Sequence, residues 1–572
     1  MFQQNPEAVG DSLALSALCA AVPLLTLFIL LGGLRMKAWL AGLISLGVSI
    51  VIAIVLFGMP VSQTFSATAE GAAFGFFPIL WIVINAIWVY NLTVKSGHFD
   101  VLRRSFEKVS PDQRIQAIII AFCFGALLEA LAGFGTPVAI TVVMLMALGF
   151  QPLKAAAVAL IANTAPVAYG ALATPIVTLA SVTSTVNDDP GLTVENLGAM
   201  VGRQTPILAI FVPLVLVFVV DGKRGVKQTW LPAIVGGLAF GIGQFIAANY
   251  ISVPLADIIA ALVSALAIVA LVRVWSPSQT ITAADMRDSD ESAGESGGSA
   301  VGAGRPGGAG GPGATATKTE PAHADSRADV VKAYAPYLVI VAIFSVINIP
   351  AVKEFFAAEP WTFAFTWPGL DILNPSGDPV ATIYNFNWFP AAGTLMIFAG
   401  IITAAILKVS PGTALKTYGE TYVELKSAIL TVMAVLALAY VMNLSGQTAA
   451  LGAWLAGAGT AFAILSPILG WLGVAVTGSD TSANALFGAL QVQTAAQAGL
   501  DPVLMAAANT SGGVLGKMIS PQNLAIAAAA VGMAGKEGDI FRKVVGWSLL
   551  LLVFMCALVA LQATPVLSWM VP

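Results

Sequence analysis

Charged residues are scarce in this chain. Asp, Glu, Lys and Arg make up 10% of its 572 residues against 58% hydrophobic ones, and the mean hydropathy is +0.87. A soluble globule carries roughly 25% charged residues, so this scarcity excludes one and points to a polytopic membrane protein. The net charge of -4 says little, because most charges lie outside the apolar runs, and nothing suggests a nucleic-acid partner. Cysteine is scarce too. Cys19, Cys123 and Cys556 each sit inside an apolar stretch without a paired spacing, which argues against a disulfide framework or a zinc site and leaves them as packing residues. The two histidines, His98 and His323, fall in separate loops and make neither a metal cluster nor a catalytic pair, so no cofactor is expected. No basic region precedes the first apolar run, since the chain begins MFQQNPEAVGD. The first span is therefore expected to be retained rather than cleaved as a signal.

Catalytic signatures are missing as well. The sequence has no H-E-x-x-H and no G-x-S-x-G, so an intramembrane hydrolase has no visible machinery and no catalytic or metal-binding residue is assigned. GGVLGK at 512–517 approximates a phosphate loop, but Ser511 stands where that motif needs its first Gly, and Met518 where it needs Ser or Thr. No nucleotide site follows.

What the chain does contain is one phrase written twice, ANTAPVAYGALATP at 162–175 and ANTSGGVLGKMISP at 508–521. Both copies carry Asn-Thr, then Gly170 or Gly516 seven residues after the Asn, then Pro175 or Pro521 twelve after it. Each copy follows a glycine-and-threonine break, GFGTP at 133–137 and GSDTS at 478–482, so that Thr136 precedes Asn163 by 27 residues and Thr481 precedes Asn509 by 28. Two agreeing spacings mark an internal repeat.

A bilayer-spanning helix needs about 20 mostly apolar residues, and 12–33, 38–58 and 72–92 are the first candidates. Arg35 and Lys37 lie between the first pair, and Lys95, Arg103, Arg104, Lys108 and Arg114 follow the third. The positive-inside rule then puts both loops in the cytoplasm and the N-terminus outside. Residues 116–149, interrupted by GFGTP, are too long for one span and short for two; they read as a re-entrant hairpin entered from the cytoplasm. Residues 154–181 cross outward, 204–221 return to the basic turn GKRGVK, and 230–249 and 254–274 complete the first half. Residues 276–330, rich in Gly, Ser, Ala and acidic residues, read as a disordered cytoplasmic linker that acts as a tether. The second half runs through 333–349, an external segment 350–385 whose WTFAFTW alternation hints at a short strand, 387–409, 427–444, and a lateral helix at 447–464. A second hairpin at 466–493 is entered from outside, 500–523 go inward, and 545–563 leave the C-terminus outside. Counting sides gives the two hairpins opposite orientations, the topology of an inverted repeat. The expected fold is all-α and polytopic, with about twelve transmembrane helices plus two re-entrant hairpins in two inverted repeats. Its parts are a first half at 1–275, the linker at 276–330 and a second half at 331–572.

Inverted repeats with broken helices are a transporter design, in which half-helix ends offer N–H groups to anions and C=O groups to cations. Gly133, Gly135 and Pro137 can halt the helix in the first hairpin, with Thr136 at the restart; Gly478 can do so in the second, with Ser479, Thr481 and Ser482 as caps. Asn163 with Thr164, and Asn509 with Thr510, supply polar groups on the adjacent discontinuous spans. The same small and polar residues would also let membrane helices pack closely. Three charges lie deep within these elements, Glu129, Asp480 and Lys517, each at a cost of about 2.5 to 3.5 kcal/mol on insertion scales. None is matched across the repeat: Glu129 aligns with Val474, Asp480 with Gly135 and Lys517 with Ala171. Lys517 is expected to face an anionic substrate or a carboxylate. Glu129 and Asp480 are the proton-coupling candidates, because burial disfavours an ionised carboxyl. The plainer alternative is a structural Lys517–Asp480 ion pair. Tyr169 stands where its hydroxyl could donate to a carboxylate, or simply pack.

LLEALAGFGTPVAI, ANTAPVAYGALATP, TGSDTSANALFG and GGVLGKMISPQN together resemble the lactate permease family of bacterial secondary transporters. The likeness covers both halves and leaves out residues 276–330, a linker longer than the family leads one to expect. It implies uptake of L-lactate, D-lactate and glycolate with protons across the cytoplasmic membrane, so a small carboxylate anion and a coupling proton become the expected partners. A sodium-coupled carboxylate transporter of similar build and an anion channel remain the alternatives. The oligomeric state has no signature here.

Overall fold

The computed structural model describes every residue except 134, 188, 283–324 and 381. Among the described residues ten helices are long and apolar enough to cross a membrane, or eleven if the bent pair Pro152–Ala162 and Val167–Thr183 makes one span. Among the described residues strand is confined to two small pairs. Helix is what this composition demands, because a backbone surrounded by lipid must satisfy its N–H and C=O groups within its own segment. The protein is thus an all-α, multi-pass membrane protein.

Several expected elements appear with shifted bounds. The run Thr205–Ile246 doubles back at Asp221–Gly222, where Gly222 adopts φ +61°, and Thr205 Oγ1 reaches Gln244 Oε1 on the other arm at 3.1 Å. The spans expected at 204–221 and 230–249 are these two arms. The lateral helix expected at 447–464 shortens to Gln447–Ala456, and the apolar helix that follows runs Gly459–Thr477. The external alternation is a strand, Phe363–Thr366, paired antiparallel with Ile383–Phe386, while Phe2–Gln3 at the N-terminus pairs with Ile372–Leu373. Most of the segment 276–330 lies outside the described residues. At its near end Gln279 O accepts from Arg114 Nη2 at 2.6 Å, and at its far end Ser326 caps the helix Arg327–Ile347.

Two helical hairpins organise the interior. The first has the arms 113–132 and Thr136–Ala147, closed at the base by Gln113 Nε2 donating to Leu148 O at 2.7 Å. The second has the arms Phe462–Thr477 and Asp480–Ala498, bridged by Gln491 Nε2 donating to Ser466 O at 3.1 Å. The arm Gln113–Ala132 is 100% enclosed by protein, whereas the helices Leu13–Gly33 and Arg327–Ile347 are only 33% and 28% buried. The former is an inner element and the latter form the rim. The base of the first hairpin is held at the turn 221–228 by Arg114 Nη1, which donates to Asp221 at 3.2 Å and to Gln228 at 2.6 Å. The base of the second, at Gln493 and Gln497, borders Thr185 and Asn187. The two hairpin bases are thus held by different parts of the chain.

The twice-written phrase folds differently in its two copies. In the first, helix Pro152–Ala162 stops at Asn163, passes through a turn and the 3₁₀ segment Val167–Tyr169, and resumes with a 62° bend. Pro166, three residues after the Asn, lacks an N–H and clashes with a helical preceding turn. Ala171, Leu172 and Ala173 then take left-handed φ values of 44°, 56° and 61°, at about 1 to 2 kcal/mol each for non-glycine residues. In the second copy Gly512 occupies the place of Pro166, and helix Pro502–Gly516 runs unbroken through Asn509. Its break comes only at the 3₁₀ turn Lys517–Ile519 before Pro521.

Candidate functional site

The two hairpin tips and both broken spans meet at one small cavity of about 40 Å³, lined by Gly133 from the first tip and by Gly478, Ser479, Asp480 and Thr481 from the second. Gly135 and Gly478 hold the tips with φ of +86° and +75°, values that favour glycine. The second tip presents a helix N-terminus: Ser479 caps Asp480–Ala498, its hydroxyl accepting from Ser482 N–H at 3.2 Å. Thr174 and Pro175 from the first broken span and Lys517 from the second complete the walls. At roughly 10–15 Å³ per water in this measure, the space takes about three waters, which limits an occupant to a few heavy atoms unless the walls part.

One ion pair dominates the chemistry. Lys517 Nζ donates to Glu129 Oε1 at 2.5 Å, with side chains only 8% and 3% exposed, across 388 residues of sequence. The partner of Lys517 is therefore Glu129, and the alternative Lys517–Asp480 pair does not form. Sequence shows that two carboxyls and an ammonium are buried; it does not show which tip carries its carboxyl to the lysine. Asn163 Nδ2 donates to Glu129 Oε2 at 2.9 Å, so both carboxylate oxygens are engaged. Gly170 makes room for this: a Cβ there would stand 2.8 Å from Glu129 Oε1. Asp480 also lines the cavity, is 3% exposed, and has no hydrogen-bond partner on either oxygen.

The remaining residues singled out from the sequence are distributed around this centre. Thr136, Ser479 and Ser482 line a second, larger cavity of about 950 Å³, together with Arg35, Lys37, Glu424 and Glu537. Asn509 and Thr510 sit deeper in an amide network: Asn509 Nδ2 and Thr510 Oγ1 donate to Asn484 Oδ1 at 2.8 and 3.0 Å, and Gln491 Nε2 donates to Asn509 Oδ1 at 3.0 Å. Thr164 donates back to Ile161 O at 2.6 Å, and the buried Tyr169 hydroxyl donates to Gly198 O at 2.7 Å. These two hydroxyls are occupied within the protein. Gly135 packs against Ile526 and Asn523. Among the described residues no group of His, Cys, Asp and Glu could hold a metal ion.

Sequence reasoning passed over two neighbours. Asp257 is fully buried, lies within electrostatic reach of Glu129 and Lys517, and accepts at Oδ1 from Gln244 Nε2 at 2.9 Å. The same Gln244 amide donates to Ala165 O in the first break at 3.3 Å. The signal was present, a carboxyl inside the apolar run 254–274, but it stands near the end of that run and so resembles a boundary charge. Gln522, which lines both cavities, carries no charge and gave no signal.

A family model described as L-lactate permease matches residues 16–566. Relatives include the L-lactate permease of Bacillus subtilis strain 168, 40% identical over 99% of this chain and 98% of that protein, and the L-lactate permease of Escherichia coli K12, 40% identical over 100% of each. The glycolate permease GlcA of Escherichia coli K12 is 42% identical over 96% of each chain. Among solved structures, the Alcanivorax borkumensis YdaH transporter superposes with a TM-score of 0.48 at 14% identity, over 87% of each chain, a likeness too loose to carry residue roles. From a family match over nearly its whole length, and 40% identity end to end, it follows that the chain belongs to the L-lactate permease family.

Proposed function

We propose that this protein imports lactate and related short 2-hydroxy monocarboxylates such as glycolate together with protons across the bacterial cytoplasmic membrane. The names of its relatives support the substrate class. The observation that carries the coupling is the buried Glu129–Lys517 pair at the wall of a cavity sized for a few heavy atoms. A substrate carboxylate needs an ammonium at this depth, and Lys517 is already engaged. When the substrate takes over Lys517, Glu129 is left with an uncompensated buried charge, at a cost of about 3–5 kcal/mol. A proton on Glu129 removes that cost, so anion and proton bind best together. Ser479, Thr481 and the N-terminus of Asp480–Ala498 supply donors for the substrate carboxylate or its 2-hydroxyl, and Asp480 is a second place for a proton. In the bilayer, the two hairpins are re-entrant in opposite senses, and the N- and C-termini face outward. The larger cavity, edged by Arg35 and Lys37, then opens to the cytoplasm, in keeping with the positive-inside rule.

The test is accumulation of labelled L-lactate in membrane vesicles under an imposed pH gradient. The expected result is uphill uptake with the gradient and no requirement for Na⁺; Glu129→Gln keeps lactate exchange and loses uptake driven by the gradient. Uptake driven only by a Na⁺ gradient would overturn proton coupling, and purely downhill flux would make the protein a channel.

A further inference from the structure

The small cavity at the ion pair and the large cavity share two lining residues, Ser479 and Gln522. Of the two, only Gln522 has a side chain long enough to lie across the opening between them. It rests against the tip of the second hairpin, because Gly478 has no side chain: a Cβ at Gly478 would stand 2.8 Å from Gln522 Oε1 and 3.1 Å from Gln522 Cβ. The backbone beneath Gln522 is anchored on both sides. Asn523 Nδ2 donates to Ser520 Oγ at 2.8 Å, to Lys517 O at 3.3 Å and to Gly478 O at 3.5 Å. The start of helix Pro521–Ala530 is thereby tied both to the turn that carries Lys517 and to the hairpin tip. Among the described residues the Gln522 amide itself has no hydrogen-bond partner, so it is available to a ligand. The contrast in size across it is large, about 40 Å³ behind it and about 950 Å³ in front.

We propose that Gln522 is the gate between the large cavity and the binding site, and that its side chain fixes the length of acid the site admits. The proposal rests on reading the small cavity as the site for a short 2-hydroxy acid. With Gln522 lying across Gly478, the pocket closes behind an occupant of a few heavy atoms, and the free amide is placed to donate to the occupant's carboxylate or hydroxyl. A longer tail would have to occupy the volume that Gln522 fills. Removing the side chain joins the two cavities.

The experiment uses the full-length protein in proteoliposomes and reads counterflow of labelled L-lactate in competition with glycolate, 2-hydroxybutyrate and 2-hydroxyhexanoate. A methylene that does not fit costs about tenfold or more in selectivity, so the intact protein discriminates strongly against the longest acid. Gln522→Ala is expected to narrow the ratio of lactate to 2-hydroxyhexanoate by about tenfold or more. Gln522→Met, similar in length but without the amide, keeps the size limit and weakens lactate competition; Gln522→Ser, which also shortens the side chain, behaves like Gln522→Ala. A second readout is independent of substrate. In protein freed of Cys19, Cys123 and Cys556, Thr174→Cys in the small cavity reacts with a small water-soluble thiol reagent, and Gln522→Ala speeds that reaction about tenfold. If Gln522→Ala does not reach the membrane, Gln522→Ser decides the matter by the same two readouts. An unchanged substrate ranking together with an unchanged labelling rate overturns the gate. Failure of the intact protein to exchange any 2-hydroxy acid overturns the substrate reading instead, while the labelling rate still reports on Gln522.

Discussion

At the scale of single residues, the centre is held by charge neutrality in a buried interior. Glu129 and Lys517 are each affordable at that depth only because the other is there, and Asn163 satisfies the remaining carboxylate oxygen. Lys517→Met should therefore be more damaging than the loss of one contact, because it strands Glu129, at a cost of about 3–5 kcal/mol. Adding Glu129→Gln removes the stranded charge and should recover most of the loss. Melting temperatures of the purified variants in detergent check this, and a single variant as stable as the parent would show that the pair does not form in the folded protein. The three charges were legible in the sequence, because an ionisable residue inside an apolar run stands out. Their pairing was not. Lys517 is nearer in sequence to Asp480 than to Glu129, and only the packing of the two halves of the chain brings Glu129 to it. Asn509 and Thr510 stand apart from the pair: their side chains bind Asn484 and Gln491 and do not line the small cavity.

At the scale of elements, the two copies of the repeated phrase share a spacing and differ in geometry. Breaks at Gly133–Gly135 and Gly478 were readable from glycine and cap residues. The bend after Asn163 follows from Pro166, whose counterpart in the second copy is Gly512. Helix Pro502–Gly516 stays straight because its glycines serve contact with a neighbour. A Cβ at Gly512 would lie 2.1 Å from Pro467 O and 2.6 Å from Pro467 Cα, both backbone atoms of helix Phe462–Thr477. Backbone cannot rotate away, so Gly512→Ala must force the two helices apart. Overpacking of this kind costs about 1–3 kcal/mol, and a lowered melting temperature is expected. Gly412→Ala, where a Cβ meets nothing within 4 Å, is the matched control and should leave stability unchanged. Equal melting temperatures for the two variants would mean that the helices are farther apart than described.

At the scale of the whole molecule, the small cavity borders a large cavity toward one end and a packed polar interior toward the other. Toward the first end the large cavity reaches Ser479 and Gln522, with Arg35, Lys37 and Glu424 at its edge. Toward the second, a polar cavity of about 370 Å³ lined by Gln4, Asn187, Asn374 and Gln497 stops short of the site. The helix Asp480–Ala498 touches both, and Asp480 to Gln493 is about 20 Å at 1.5 Å per residue. Between them lies the buried amide network, which also reaches the first half of the chain through Asn484 Nδ2, donating to Pro175 O at 3.0 Å. The large cavity thus reaches the edge of the small one from the end bearing Arg35 and Lys37, whereas hydrogen bonds that link the two halves lie between the small cavity and the other end. Those bonds must break if the same site is to open outward, so the seal ought to be weak enough for lactate exchange to disturb. Single cysteines in protein freed of Cys19, Cys123 and Cys556 test the whole arrangement. With the proposed orientation, Gln497→Cys is labelled in intact cells by a membrane-impermeant thiol reagent, whereas Ser427→Cys, exposed at the large cavity, is labelled only after the membrane is opened. The opposite pattern would reverse the orientation. Asn484→Ala, which deletes the bond to Pro175, should shift the population toward the outward-open state. Its signature is slower labelling of Ser427→Cys and unchanged labelling of Gln497→Cys. A Ser427→Cys rate indifferent to Asn484→Ala would mean that the seal lies elsewhere along the helix.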